Sequence, residues 1–360
     1  MSDNNYKLFI NGKWEASSAN KTENILSPTD ESIVGSVHVA TVEDAEKALK
    51  AAETAQKSWR KVPAKQRAIL VRKLAEEIRA NKDILAPLLV REQGKLLSWG
   101  YGETEATSTF LEYACEWARH IEGDIVPSDN EDEQIWITKV PRGVVVAITA
   151  WNFPLALAAR KLGPALIAGN TVVLKPTPDA PLATLMLCDM ANKVGIPAGV
   201  INMVTGGVDV GRYLVENPIT KMITMTGSTP TGQAIFRSAA NNLAHVQLEL
   251  GGKAPCIVFE DADLEQAAAG ALHSRFDNCG QICTCNERMY VHEAIYDDFM
   301  KIFMDKVKAL KVGDPMKEDT DIGPKMNAAE VQKMEEMVAY SLESWRLADL
   351  MEKKTFWSRV

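Results

Sequence analysis

Residues 143–150 read Gly-Val-Val-Val-Ala-Ile-Thr-Ala, a continuous apolar run in which β-branched residues dominate. Such a run is typical of a strand that is buried on both faces of a parallel sheet. Strand and helix patterns then alternate along the chain, through 155–168, 171–174, 181–194, 200–204, 209–216, 222–225 and 231–241. Four strands that alternate with helices predict right-handed crossovers and an open parallel sheet, so the fold class is α/β.

The first 120 residues predict a mostly helical segment that begins with a hairpin. Residues 6–14 read as two short strands, with Asn11-Gly12 supplying the turn between them. A helix is expected to follow Thr41, whose hydroxyl can cap the amides near Asp44. Amphipathic helical patterns continue through 64–97 and 103–120.

The composition limits the classes of partner. With 360 residues the chain is long enough for two domains, and its formal net charge of −8 argues against a nucleic-acid or anionic-membrane surface. The first residues lack the pattern of a signal peptide, and no run of 18 apolar residues occurs. We therefore expect a cytoplasmic protein with no nucleic-acid or membrane partner. Cysteines stay reduced in that compartment, so the six cysteines point to chemistry or packing.

Three of the six cysteines fall within residues 278–288, which read N-C-G-Q-I-C-T-C-N-E-R. A zinc site normally has two ligand pairs separated by a dozen or more residues, so we predict no metal here. Cys279 and Cys285 are interpreted as packing neighbours, and Cys283 as the candidate nucleophile. The other three cysteines lie in apolar segments and are expected to be buried and inert: Cys115, Cys188 and Cys256.

A nucleophilic thiolate needs supporting groups, and polar residues at predicted strand ends supply them. Asn152 follows the first buried strand, and its amide, with the backbone amide of Cys283, is suited to an oxyanion. Glu249 lies between two leucines, where we expect burial to make it a general base. The turn at 226–232, T-G-S-T-P-T-G, precedes a helix and is either a pyrophosphate site or a plain glycine turn.

Five motifs together resemble the aldehyde dehydrogenase superfamily, over about residues 6–343. They are W-N-F-P (151–154), K-P (175–176), T-G-S-x-x-x-G (226–232), L-E-L-G-G-K (248–253) and G-Q-x-C-x-x-x-x-R (280–288). The resemblance implies a Rossmann-type parallel sheet domain joined to an α/β catalytic domain, here incomplete. The stretches F-P-L-A-L-A-A-R-K and G-Q-I-C-T-C-N-E-R are most similar to the bacterial lactaldehyde/glycolaldehyde dehydrogenases.

The resemblance also implies a mechanism and a cofactor site. Cys283 would attack the aldehyde, Asn152 would hold the oxyanion, and Glu249 would activate the water that hydrolyses the thioester. Hydride would pass to NAD, or to NADP, since Pro178 stands where many NAD-preferring members have a glutamate. The cofactor would contact residues that match the family's motifs: Trp151, Lys175, Gly227, Ser228, Gly232 and Gly251.

The remaining expectations concern the substrate, the domain boundaries and the completeness of the chain. A short aldehyde such as lactaldehyde or glycolaldehyde is expected, with succinate semialdehyde as the alternative. Residues 1–250 are predicted to form the N-terminal helices and the NAD(P)-binding domain, with an oligomerisation hairpin near 124–142, and 251–343 a partial catalytic domain. Residues 344–360 match nothing in the family, whose members continue and are homo-oligomeric, so we expect a truncated chain. Such a chain is either an active enzyme or an inactive fragment that binds dinucleotide.

Overall fold

The computed structural model of the chain describes residues 5–350, and the side chains of residues 5–344. These residues form two compact units. The first contains residues up to 26, 32–92 and 100–250, and the second contains 27–31, 93–99 and the residues from 251 onward. Among the described residues, no helix is long and apolar enough to cross a membrane.

The N-terminal part of the first unit begins with five short strands and continues with four helices. Asn11 and Gly12 both adopt positive φ, at 52° and 73°, and connect an antiparallel pair as the sequence predicted. Thr41 caps the first helix in a reciprocal capping box with Asp44. The elements are β1 (Asn5–Tyr6), β2 (Leu8–Ile10), β3 (Lys13–Glu15), β4 (Thr22–Leu26), β5 (Ile33–His38), α1 (Val42–Trp59), α2 (Ala64–Ala80), α3 (Lys82–Gln93) and α4 (Leu97–Glu116).

A two-stranded antiparallel hairpin follows α4. Its strands are β6 (Asp124–Pro127) and β7 (Gln134–Ile137), and every residue of both strands is exposed. The exposed side chains include Ile125 and Trp136, each about two-thirds or more accessible. The hairpin lies within the segment for which the sequence predicted an oligomerisation role, and that role stays a prediction.

The main sheet of the first unit has seven strands in the order β12-β11-β8-β9-β10-β2-β3, of which the first five are parallel. The chain builds β8, β9 and β10 to one side and then returns to place β11 and β12 on the other. The elements are β8 (Val144–Ile148), α5 (Pro154–Ile167), β9 (Thr171–Lys175), α6 (Leu182–Lys193), β10 (Ile201–Met203), α7 (Val208–Glu216), β11 (Thr220–Thr226), α8 (Thr229–Ala239) and β12 (His245–Glu249).

The central strands are buried on both faces, as their β-branched run predicted. Along β8, Val145 and Ala147 pack into one apolar cluster, and Val144 and Val146 pack into another on the opposite face. Side chains of a strand alternate between the two faces of a sheet, so a strand covered on both sides needs apolar residues at every position. The predicted α/β class with a parallel Rossmann-type sheet is therefore confirmed.

Two crossover helices of this sheet are capped by glutamates from the preceding helices. Phe153 and Pro181 stand at the N-cap positions of α5 and α6, and their side chains have no acceptor atom. Instead the buried Glu103 carboxylate of α4 accepts hydrogen bonds from two amides in the first turn of α5. The buried Glu92 carboxylate of α3 likewise accepts from the Leu182 and Ala183 amides of α6, at 2.7 and 3.0 Å. Each carboxylate satisfies amides that a helix start leaves without an intrahelical partner.

The second unit contains a parallel pair of strands packed against helices. Its core includes Phe299 and Phe303, whose rings stack, together with Val258 and Ala268. The elements are β13 (Ala254–Val258), α9 (Leu264–Phe276), β14 (Asn286–Val291), α10 (Tyr296–Ala309) and α11 (Ala328–Leu350). The predicted aberrant tail, 344–360, lies beyond residue 350 for its greater part, and that part is outside the described residues.

Candidate active site

The strand order of the first unit places a topological switch point between β8 and β11. From β8 the chain progresses in one direction to β10, and it then returns to β11 on the other side. Ligands of open α/β sheets bind outside the carboxyl ends of the strands at such a point. Residues 151–154 follow β8 there, and residues 227–232 follow β11.

The N-terminus of α8 lies at this point and is suited to an anion. Ser228 is its N-cap, and its hydroxyl accepts a hydrogen bond from the Thr231 amide. The Gly227 amide donates to the Glu249 carbonyl at 3.0 Å, which extends the pairing of β11 with β12 by one residue. Gly232 is needed for packing, since a Cβ there would lie 2.6 Å from Leu250 Cδ2. The helix dipole favours a phosphate group at this end of α8, where Pro230 has no N–H and the Thr231 amide already donates to Ser228.

Lys175, the last residue of β9, is a buried cation at the same edge of the sheet. Its side chain is 7% exposed, and burial lowers the pKa of its ammonium group to about 8, against a smaller opposite effect of Asp179. A Cβ added at Gly211 of α7 would contact Lys175 Cε at 3.5 Å, so the lysine stem lies beside that helix. A buried ammonium group gains from an anionic or hydroxyl ligand, which replaces the lost water.

Asn152 lies in the loop between β8 and α5, between half-buried Trp151 and Phe153. Its Oδ1 accepts a hydrogen bond from the Phe153 amide at 3.1 Å. That bond occupies the acceptor side of the amide and fixes its orientation, so Nδ2, the donor side, points away from the Phe153 backbone. A donor with a fixed direction is what stabilisation of an oxyanion requires.

Glu249 is the last residue of β12, and its side chain is exposed, so the predicted burial is wrong. The cause is the alternation of side chains along a strand. Leu248 and Leu250 pack against the apolar cluster on one face of the sheet, and Glu249 therefore lies on the other. Its Oε1 accepts a hydrogen bond from Gln247 Nε2 at 3.1 Å.

Lys161 of α5 belongs to this edge of the sheet, and the sequence interpretation missed it. Its side chain is 7% exposed, and Nζ donates to Thr226 Oγ1 at 2.8 Å and to Thr224 Oγ1 at 3.3 Å. Burial lowers the pKa of its ammonium group to about 8, while the negative charge of Glu249 acts in the opposite direction. The sequence signal was weak, because Lys161 directly follows the exposed Arg160 and nothing local shows which of the two cations is buried.

Cys283 lies in the second unit, at the corner of a turn before β14. The Cys285 amide donates to the Ile282 carbonyl at 3.2 Å and closes this turn, which leaves Cys283 exposed. Cys285 is buried, and burial raises the pKa of its thiol, as a packing role predicts. Cys279 is half-buried. Cys256 is also half-buried rather than buried, although it lies on the face of β13 that packs against the core of the second unit.

The segment before this turn is strained and held in place. Asn278, Cys279 and Gly280 all have left-handed φ, at 47°, 57° and 71°. Arg275 Nη2 donates to the Gly280 carbonyl, and Lys325 Nζ donates to the Cys279 carbonyl. Non-glycine residues in this conformation cost roughly 1–3 kcal/mol each and persist where surrounding contacts enforce them, often at functional sites.

The structure groups most of the predicted site residues in one unit. Asn152, Lys175, Ser228 and Glu249 lie at the carboxyl edge of the first unit's sheet, with Trp151, Gly227 and Gly232 in the adjoining turns. Cys283 and Gly251 belong to the second unit. The approach of Cys283 to Asn152 and Glu249, and that of Gly251 to a nicotinamide, stay predictions. Across residues 5–344, no cluster of three or more His, Cys, Asp or Glu side chains could hold a metal ion.

Comparison with known proteins identifies the family. A profile described as "Aldehyde dehydrogenase family" matches residues 14–347. The chain is 58% identical over 339 residues to 3,6-anhydro-alpha-L-galactose dehydrogenase of Vibrio sp. (strain EJY3), covering 94% of this chain and 71% of that protein. It is 39% identical to lactaldehyde dehydrogenase of Escherichia coli (strain K12), with the same two coverages.

A solved structure of 3,6-anhydro-L-galactose dehydrogenase with bound NADP is similar at a TM-score of 0.92 and 62% identity, covering 94% of this chain and 72% of that one. The strand order with its switch point places the chain among the doubly wound α/β proteins. The chain belongs to the aldehyde dehydrogenase family, whose members act on the aldehyde group. The resemblance stated from its motifs is confirmed.

Proposed function

We propose that the chain oxidises an aldehyde to a carboxylic acid with NAD or NADP, through a thioester on Cys283. The observation that carries the proposal is the placement of Cys283. Of the six cysteines, all of which lie among the described residues, Cys283 alone is exposed, and it follows a segment of three left-handed residues. A strained backbone that is held by surrounding contacts, directly before an exposed thiol, is typical of a nucleophile whose orientation matters for the reaction.

The proposed chemistry uses Cys283 of the second unit and Asn152 and Glu249 of the first. The Cys283 thiolate adds to the aldehyde carbon, and the resulting oxyanion accepts hydrogen bonds from Asn152 Nδ2 and the Cys283 amide. A bound NAD(P) would supply the hydride acceptor, and loss of hydride from that carbon would leave a thioester. Glu249 then takes a proton from water, the hydroxide attacks the thioester, and the Cys283 thiolate leaves as the carboxylic acid forms.

The cofactor is proposed to bind across the switch point. Ser228 and the positive end of the α8 dipole would hold the pyrophosphate, and Lys175 would hold the adenosine ribose. Gly227 and Gly232 shape that turn, and Trp151 would line the cleft. NADP is supported as well as NAD, because the anhydrogalactose dehydrogenase is solved with NADP and Pro178 carries no charge to repel a 2′-phosphate.

Two substrate classes are supported by different observations. The motifs around Asn152 and Cys283 favour a short hydroxyaldehyde such as lactaldehyde or glycolaldehyde, with succinate semialdehyde as the alternative. The identity of 58% favours instead the aldehyde for which that relative is named, 3,6-anhydro-α-L-galactose, since lactaldehyde dehydrogenase is 39% identical. We propose the anhydro sugar as the second candidate.

The test is turnover of the purified chain with each of these aldehydes and with NAD and NADP in parallel. Reduced cofactor is expected to form, and the substitution Cys283→Ala is expected to abolish it. The matched control Cys279→Ala, a half-buried neighbour, should retain activity. Turnover that survives Cys283→Ala would overturn the thiol mechanism. Absent turnover, with a dinucleotide still raising the Tm, would favour a fragment that binds cofactor without catalysis.

We further propose that residues 1–250 bind the dinucleotide, that 251–343 form part of the catalytic domain, and that the 124–142 hairpin is an association surface between copies. Its apolar residues, including Ile125 and Trp136, support that role because such side chains on a free sheet edge favour pairing. A cytoplasmic location is supported by the six cysteines, all of them free. Gel filtration of Trp136→Ser tests the hairpin, and an unchanged oligomeric state would contradict it.

A further inference from the structure

A strip of polar side chains crosses two strands of the first unit's sheet at its carboxyl edge. Thr224 of β11 lies opposite Gln247 of β12, and Thr226 lies opposite Glu249. Since side chains alternate along a strand, all four lie on the same face. Lys161 of α5 covers that face, because its ammonium group contacts both threonine hydroxyls.

The hydrogen bonds of this strip run in one direction, from a cation to an anion. Lys161 Nζ donates to Thr224 Oγ1 at 3.3 Å, and the Thr224 hydroxyl donates to Gln247 Oε1 at 2.5 Å. Gln247 Nε2 then donates to Glu249 Oε1 at 3.1 Å. These three bonds are aligned toward the carboxylate, so each polarises the next and strengthens it. The shorter bond of Lys161, to Thr226 Oγ1 at 2.8 Å, lies outside this series.

The charge of Glu249 fixes the orientation of the Gln247 amide. A flipped amide would bring its oxygen against the Glu249 carboxylate, and two acceptors form no hydrogen bond. The half-buried Gln247 therefore presents a donor in a fixed direction to an exposed carboxylate, which by itself would sample several rotamers.

We propose that Gln247 is a positioning residue for Glu249: its amide holds the carboxylate in one orientation and connects it to the buried Lys161. The inference rests on the proposed function, in which Glu249 is the general base for thioester hydrolysis. Gln247 then acts on hydrolysis and not on thioester formation, because the latter uses Cys283 and Asn152. Its loss should slow the second half of the reaction.

The substitution Gln247→Met tests this, because methionine keeps the length and bulk of glutamine and removes both hydrogen-bonding groups. With a preferred aldehyde and saturating cofactor, kcat is expected to fall about tenfold, since a positioned general base contributes roughly 100- to 10,000-fold and Glu249 itself is retained. A burst of about one reduced cofactor per chain should precede the slow phase. An unchanged kcat, or a slower burst in proportion to kcat, would overturn the proposal.

His245→Ala is the matched control, because His245 lies on the same strand and face, two positions before Gln247, and is exposed. It should have the kinetics of the unsubstituted chain. A fall in kcat equal to that of Gln247→Met would show a general effect of the strand and would refute the specific role.

A crystal structure of the Gln247→Met chain supplies a measurement that does not depend on activity. The Glu249 carboxylate is expected to leave its present position, while Thr224 and Lys161 stay in contact. A carboxylate that keeps its place would overturn the positioning role, whatever the activity. If the unsubstituted chain oxidises no aldehyde but the carboxylate does move, the proposed function fails and the positioning role stands.

Discussion

Lys161 shows how one buried charge affects both stability and the site. Its ammonium group has two threonine hydroxyls as partners, and the negative charge of Glu249 acts on it. Burial lowers the pKa of this lysine to about 8, below the value near 10.5 of the unfolded chain. The folded state therefore favours the neutral amine, and below pH 8 the protein maintains a charged group in an unfavourable place.

The substitution Lys161→Met should consequently stabilise the protein at pH 7 and have less effect at high pH. Between pH 8 and 10.5 the unfolded chain binds the lysine proton and the folded chain does not, so the unsubstituted protein gains stability as pH rises. The advantage of the methionine variant should shrink by roughly 1–3 kcal/mol across that interval. Denaturant unfolding of both proteins at several pH values measures it, and a constant difference would contradict the prediction.

At the level of single residues, the sequence indicated which side chains have suitable chemistry better than it predicted their burial and contacts. The sequence predicts that Asn152, Lys175 and Ser228 follow strand ends, because such ends are visible as changes of pattern. The exposure of Glu249 was not predicted, since the apolar partner layer that receives Leu248 and Leu250 comes from other elements. The contacts of Lys161 join residues more than 60 positions apart, and no local pattern contains them.

Among the elements, the left-handed segment before Cys283 gives a sharp test. Gly280 has φ of 71°, and a Cβ there would lie 2.3 Å from Arg275 Nη2. Gly280→Ala should therefore lower the free energy of unfolding by about 2–4 kcal/mol, from the left-handed backbone and the displaced arginine.

Gly270→Ala is the opposite case on the neighbouring helix α9. A Cβ at Gly270 meets no atom within 4 Å, and the residue is exposed. Alanine should stabilise the helix by about 0.5–1 kcal/mol. Chemical denaturation of the two variants side by side measures both effects, and equal signs would contradict the account of the strained segment.

Helix α5 supplies a second test, because its start depends on Glu103 of α4. Glu103→Ala leaves the Leu155 and Ala156 amides buried without this acceptor, and each such donor costs roughly 1–3 kcal/mol. We expect the free energy of unfolding to fall by about 3 kcal/mol. Glu105→Ala removes an exposed partner of Arg79 two residues away and should cost less than about 1 kcal/mol. Similar losses from both variants in urea unfolding would refute the capping role.

The order of helices and strands was predictable from the sequence. The hydrogen bonds by which one helix caps another were not. The β-branched runs, the Asn11-Gly12 turn and the Thr41 cap are local signals, and the structure has each of them. The glutamate caps join residues about 52 and 90 positions apart, so their sequence signal is indistinguishable from any charged residue on a helix.

For the whole molecule, cofactor binding should protect one edge of the first unit's sheet. NADP at about 100 times its Kd would stabilise the folded chain by roughly 2.7 kcal/mol. Amide hydrogen exchange should slow within 149–154 and 226–232, which adjoin the switch point. The amino ends of β8 and β9, at the opposite edge, serve as the internal control and should change less. Equal protection at both edges would contradict the proposed location.

Because Glu103 and Glu92 of earlier helices cap α5 and α6, the parallel sheet is not an independent part of this protein. A nucleotide-binding sheet is an attractive part to excise, shuffle or transplant, and residues 140–250 contain all five parallel strands. Cut at that boundary, the part would lose Glu92 and Glu103, and the first turns of two crossover helices would keep buried amides without these acceptors. During synthesis the two glutamates leave the ribosome before the helices they cap, so both acceptors are present when those helices form. A minimal dinucleotide-binding module from this chain therefore has to begin upstream of α3.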